Sequence, residues 1–374
     1  MAIAGILLSL NASGQQANPA EMFQQALEAQ RRGDDALAVR EYREIVSVHP
    51  EITAAHANLA AALVSLGKYS EAIAEYQTAL KQAPGNHALE LNLAVSYFKK
   101  GSASDAARIL MPLSVSDPGN ERIAILLADC DLRLGRYAEA ASLLQPFEKS
   151  NPGNLDVEWP LGSALIGAGR AQEGLALVER VAQQGPSAEA YMLAAQTYLK
   201  LERFNLARRD VDAAMKLNPH LPGLDTINGM VLDYFGDAKG AEAAFQKAIA
   251  SNPTDFQALL RLGALEYSQR QLTQAATHLR RALELEPSSS VARYELGRVE
   301  RAQGNLAAAV KDLEKAESEK PDWLPPHIEL AALYYRVNRP KDGERERRIV
   351  DQLSAKVQKD EARKHVISPE LPSQ

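Results

Sequence analysis

Apolar positions along the chain fall into short stripes at helical spacing, broken by glycine and proline at regular intervals. Between Thr53 and Asn86, Leu59, Ala60 and Leu63 share one helical face. Ala72, Tyr76, Ala79 and Leu80 share a second. Gly67 stands between the stripes, where a residue that accepts left-handed backbone angles ends a helix without steric cost. Pro84 stops the second stripe, because the residue before a proline is disfavoured in the helical region. The pattern predicts a pair of helices per unit.

The unit recurs. Prolines stand at Pro50, Pro84, Pro118, Pro152, Pro186, Pro219, Pro253, Pro287 and Pro321, 34 residues apart except for one step of 33. In phase with them run Gly33, Gly67, Gly101, Gly135, Gly169, Gly236 and Gly304. Two further columns hold only alanine or glycine, among them Ala60, Ala94, Gly162 and Gly263 in one and Ala72, Ala106, Gly174 and Ala275 in the other. Small residues at fixed positions fit a close crossing of two helices, where a larger side chain would force them apart. Pro-Gly-Asn at Pro84, Pro118 and Pro152 reads as a turn into the next unit.

These columns resemble the tetratricopeptide repeat (TPR), over about nine-tenths of the chain. Ten repeats begin near residues 19, 53, 87, 121, 155, 188, 222, 256, 290 and 324 and fill 19–357. The resemblance implies an all-α, right-handed superhelical solenoid of helix–turn–helix repeats. The chain departs from the family at the first consensus position, often tryptophan, which here holds His56, Glu158, Arg293 and His327 among others. The sixth, eighth and tenth units put Glu202, Arg270 and Asn338 where the others have the turn glycine. From Pro340 a long helix, ending over 358–365, reads as the cap that a solenoid needs over its last apolar face. Residues 366–374, with two prolines, read as a disordered tail. Residues 1–18 stand outside the repeat. Ala2 to Leu10 is an apolar run of signal-peptide length, followed by small residues at Ala12-Ser13-Gly14, but no lysine or arginine stands near Met1. Two readings stay open, a truncated signal peptide and an arm packed on the first repeat. The first favours an exported, periplasmic protein of a bacterium over a cytoplasmic one.

Composition narrows the function. The formal net charge of -6, from 42 basic and 48 acidic residues, argues against a nucleic-acid binder. The single cysteine, Cys130, excludes an internal disulfide and a thiolate zinc cage, and reads as a buried, inert thiol. The seven histidines fall at scattered repeat positions and read as partly exposed helix residues, with no zinc-helix spacing. Glu344 and Glu346 read as solvated helix charges, and Pro160 as a first-turn proline. Gly167-Ala168-Gly169 lacks the preceding strand of a nucleotide loop. A catalytic domain needs on the order of 100 residues, and the repeats leave no such room. No catalytic residue, metal or cofactor is expected.

The resemblance implies that the first helix of each repeat lines a concave groove for peptides or partner helices. Groove positions then hold Phe23, Leu91, Trp159, Met192 and Tyr294, with Phe98, Tyr267 and Tyr335 seven residues further along their repeats. Met230 and Arg298 lie between these two positions. The same side chains would equally suit packing against a neighbouring repeat. Asn58 and Asn92 match a family position where asparagines hydrogen-bond a peptide backbone, with Gln24 as a third rung. The family's lysine–asparagine clamp is not matched, since Ala57 and Leu91 take the basic positions. Arg261, Arg298, Arg301 and Arg336, among Glu295 and Glu329, suit either an acidic partner or a solvated mixed-charge face. The expected function is a non-enzymatic scaffold that binds a protein or peptide in the groove. The alternative is a regulatory or substrate-presenting subunit of a separate, glycosyltransferase-like enzyme. Partner identity and oligomeric state are not encoded in any motif.

Overall fold

The computed structural model describes residues 19–367. The signal-peptide or arm segment, 1–18, and residues 368–374 of the tail lie outside the described residues, while Val366 and Ile367 belong to the C-terminal helix rather than to a disordered tail. Every regular element among the described residues is an α-helix. The chain forms two compact units, divided between Gly185 and Pro186.

The first unit holds α1 (Pro19–Arg31), α2 (Asp35–Val48), α3 (Thr53–Ser65), α4 (Tyr69–Gln82), α5 (His87–Lys100), α6 (Ala103–Ser116), α7 (Glu121–Arg133), α8 (Tyr137–Ser150), α9 (Leu155–Gly167) and α10 (Ala171–Gln184). The second holds α11 (Ala188–Lys200), α12 (Phe204–Leu217), α13 (Leu224–Tyr234), α14 (Ala238–Ser251), α15 (Phe256–Ser268), α16 (Leu272–Leu285), α17 (Ser290–Gln303), α18 (Leu306–Glu319), α19 (Leu324–Arg336) and α20 (Pro340–Ile367). Within each unit consecutive helices pack in pairs and each pair packs on the next, as in a solenoid. The C-terminal helix runs for 28 residues, twice the length of the other second helices.

The sequence columns account for this geometry. Gly101 ends α5 at φ 90°, and the amide of Ser102 donates back to the Tyr97 carbonyl, satisfying an otherwise orphaned acceptor. Glu202, Arg270 and Asn338 adopt the same left-handed conformation, at φ 57°, 65° and 59°, without being glycine. Pro-Gly-Asn does more than turn the chain, since its asparagine caps the next helix. The Asn86 side chain accepts from the amides of Ala88 and Leu89, and Asn120 from that of Ile123. The small columns lie where α9 and α10 touch. A Cβ on Gly174 would stand 2.6 Å from the Gly162 carbonyl oxygen. Pro160 is the sixth residue of α9 and is buried, so the first-turn expectation is corrected. Its ring occupies the helix interior at the cost of one backbone hydrogen bond.

The first helices also approach one another. In the first unit α3 touches α5, α5 touches α7 and α7 touches α9, and the second unit repeats this from α11 to α19. Second helices show no comparable packing on one another. The stack within each unit is therefore closed on its first-helix side and splayed on the other, which makes the first-helix face the inner one.

Candidate functional site

A recess on the inner face of the first unit lies across α5, α7 and α9 and has a volume of about 560 Å³. Val95, Ile125, Leu126, Leu155, Trp159 and Pro160 give it an apolar floor. Its polar members are Glu121, Arg122, Asp129 and Asp156. Glu121 accepts a hydrogen bond from the Asn154 amide at 2.9 Å, which ties the start of α7 to the start of α9. Asp129 has no such tie. Burial pushes its carboxyl above the usual range, and the Arg133 guanidinium only partly opposes this. Arg133 is turned elsewhere, 3.8 Å over the Phe98 ring, with a hydrogen bond to the Phe98 carbonyl at 3.4 Å.

On the inner face of the second unit, both glutamates among the arginines are paired from within. Arg298 stacks 4.5 Å from the Tyr267 ring and 5.5 Å from that of Tyr294, and donates to Glu295 at 2.9 Å. Burial pushes the Glu295 carboxyl up, opposed by Arg298. Arg301 pairs with Glu329 at 2.6 Å. The Tyr294 ring meets Trp323 edge to face at 5.0 Å. A smaller recess of about 480 Å³ near Leu199, Ile227 and Met230 carries Arg261 on its rim.

Models described as tetratricopeptide repeat match residues 23–87, 63–130, 131–197, 188–221, 228–290 and 265–322, well over half the chain. The chain belongs to the tetratricopeptide repeat family. Its fold is similar to a solved structure described as the APC/C hetero-tetramer Cut9-Hcn1, at 14% identity and a TM-score of 0.58, covering 91% of this chain and 88% of that one. A tetratricopeptide repeat protein from Parabacteroides merdae is 17% identical, with a TM-score of 0.49, over 63% of this chain and 93% of its own. MamA from Desulfovibrio magneticus is 22% identical, with a TM-score of 0.41, over 45% and 96%. No curated protein sequence is matched. TPR repeats are in general protein–protein interaction modules. No helix among the described residues is long and apolar enough to cross a membrane.

The TPR positions singled out in the sequence fall into three groups. Leu91, Phe98 and Trp159 are half-buried on the inner face of the first unit, and Asn92 is exposed there. Tyr267, Tyr294 and Arg298 form the internally paired cluster of the second unit. The rest serve packing. Phe23 meets the Tyr42 ring edge to face at 5.6 Å. Asn58 donates to the Tyr42 hydroxyl at 3.2 Å, which in turn donates to Gln30 at 3.3 Å. Met192 packs beside Leu224, and Tyr335 lies under Arg347 at 4.8 Å. Asp129 was absent from the sequence-based site. The available signal was a lone acid among apolar groove positions of the fourth repeat.

The first consensus position holds polar anchors. His56 and His327 are buried, which corrects the partly exposed reading. Each sets Nε2 against the carbonyl of the proline six residues earlier, Pro50 at 3.0 Å and Pro321 at 2.9 Å. Each sets Nδ1 against the glutamate nineteen residues later, Glu75 at 2.6 Å and Glu346 at 2.8 Å. Glu346 is fully buried rather than solvated, a second correction. Arg293 repeats the device, donating to the Pro287 carbonyl and pairing with Asp312, nineteen residues later, at 3.6 Å, and it also donates to Glu319 at 3.2 Å. Glu317, His327 and Glu346 bring ligand atoms within 4.8 Å of one another. Both ring nitrogens of His327 already have partners, and His56 makes the same pair without a third carboxylate. The trio is therefore a structural tie between turn and helix. Cys130 is fully buried, and burial, with Asp131 and Asp129 adding to it, pushes its thiol up to about 11.

Proposed function

We propose that this TPR protein is a non-enzymatic scaffold that holds an extended peptide or helix of a protein partner on the inner face of its first unit. The recess around Trp159 carries this reading. It joins an apolar floor to a half-buried aromatic side chain and a polar rim, the composition of an interface core rather than of a solvated face. Tryptophan is the side chain most often found to dominate binding when truncated. Asn92, exposed on the same face two repeats before Trp159, carries a side-chain amide that suits a peptide backbone.

Co-purification from the native cell tests the reading. Trp159→Ala should lower partner recovery at least about tenfold, as expected for a buried aromatic anchor. Val115→Ala, at a 77% exposed site on α6, should leave recovery unchanged. Full recovery with Trp159→Ala, at an unchanged unfolding midpoint, would remove the inner face as the binding surface.

A further inference from the structure

Asp129 is the one acid of the first-unit recess whose charge is neither solvated freely nor paired. It lies half-buried beside an apolar floor, no hydrogen bond to it is found among the described residues, and the cation that acts on it, Arg133, is stacked on Phe98. Removing a carboxylate from water without a partner is costly, and such groups are normally paired. Comparable acids on the inner face of the second unit have their partners, Glu295 with Arg298 and Glu329 with Arg301.

We propose that Asp129 and Trp159 form a subsite for a lysine or arginine side chain of the bound partner segment. The inference rests on the groove reading above and names the chemistry that the groove selects. A cation entering the recess would gain the Asp129 carboxylate as a charge-assisted hydrogen-bond acceptor and the Trp159 ring as an aromatic face. Ile125 and Leu126 would cover the aliphatic stem, as apolar surfaces do for long cationic side chains. The rim favours the same sign. Glu121 and Asp156 outnumber Arg122, so a positive segment meets a net negative mouth. Occupancy would supply the partner that Asp129 lacks, and so offset the cost of its burial.

Random twelve-residue peptides displayed on phage, panned on the full chain, test this directly. The wild type should enrich lysine or arginine flanked by apolar residues, and Trp159→Ala should lose those peptides. Asp129→Asn, nearly isosteric and relieved of a buried charge, should keep its unfolding midpoint or raise it. It should bind each selected peptide at least about tenfold more weakly. It should no longer prefer that peptide over a copy with glutamine at the cationic position. The charge-reversed Asp129→Lys should shift enrichment towards aspartate and glutamate. If peptides are enriched and lost with Trp159→Ala but show no cationic preference, the groove stands and the cation subsite is wrong. If no peptide depends on Trp159, the groove reading fails with it.

Discussion

Glu202 holds a backbone conformation that seven repeats give to glycine. At φ 57° its Cβ meets the strain that disfavours L-residues in the left-handed region, roughly 1–2 kcal/mol. The side chain is exposed, and the equivalent glycines have open space around a would-be Cβ, so nothing in the packing offsets that strain. Glu202→Gly should therefore stabilise the second unit by about 0.5–1 kcal/mol, after the larger chain entropy of glycine in the unfolded state is deducted. A urea melt that shows an unchanged or lower midpoint would contradict this. The substitution at Glu202 was legible in the sequence, because its neighbours in phase are glycines. The roles of His56 and His327 were not read, although a His…Glu spacing of nineteen residues recurs in both repeats. A histidine on a helix looks exposed until a buried partner on the following helix is known. Asp129 escaped for the opposite reason. Its importance lies in a partner it does not have, and only the orientation of Arg133 reveals that.

Helix pairing was the most legible level. The glycine, proline and small-residue columns each mark a place where the backbone must turn or approach closely, and α1 to α20 begin and end at those marks. The fifth repeat carries glycine in both small columns, and there the α9 and α10 backbones leave no room for a Cβ. Gly174→Ala would place a Cβ 2.6 Å from the Gly162 carbonyl and 2.9 Å from the Ile166 amide nitrogen, so backbone must move. Overpacking of about 1–3 kcal/mol should outweigh the gain of about 1 kcal/mol in helix propensity. The expected outcome is a net loss of stability of about 1 kcal/mol, read by thermal or urea melting. A stabilised variant would mean that the two helices have room to separate. Pro160 marks the limit of this level. The repeat start near residue 155 agrees with the start of α9 at Leu155, and that start already puts Pro160 at the sixth helical position, past the first turn.

At the scale of the whole molecule, two units share one repeat and differ in how their inner faces are charged. The sequence shows arginines among glutamates from the eighth repeat on, which suits either an acidic partner or a solvated mixed-charge face. Three-residue and cross-repeat pairing neutralises Arg298 with Glu295 and Arg301 with Glu329, whereas Asp129 in the first unit has no such pair. Pairing of this kind depends on rotamers and on neighbours a repeat away, and a list of charges does not contain it. A partner bound in the groove must therefore touch the first unit at this recess. A photo-crosslinking amino acid placed at Val95 or Leu126, inside the recess, and at Val115, on the outer helix α6, reads this in the native cell. Crosslinks to one partner from Val95 and Leu126, with none from Val115, are the predicted result. Crosslinks from Val115 alone would contradict the account and move the binding surface to the outer helices.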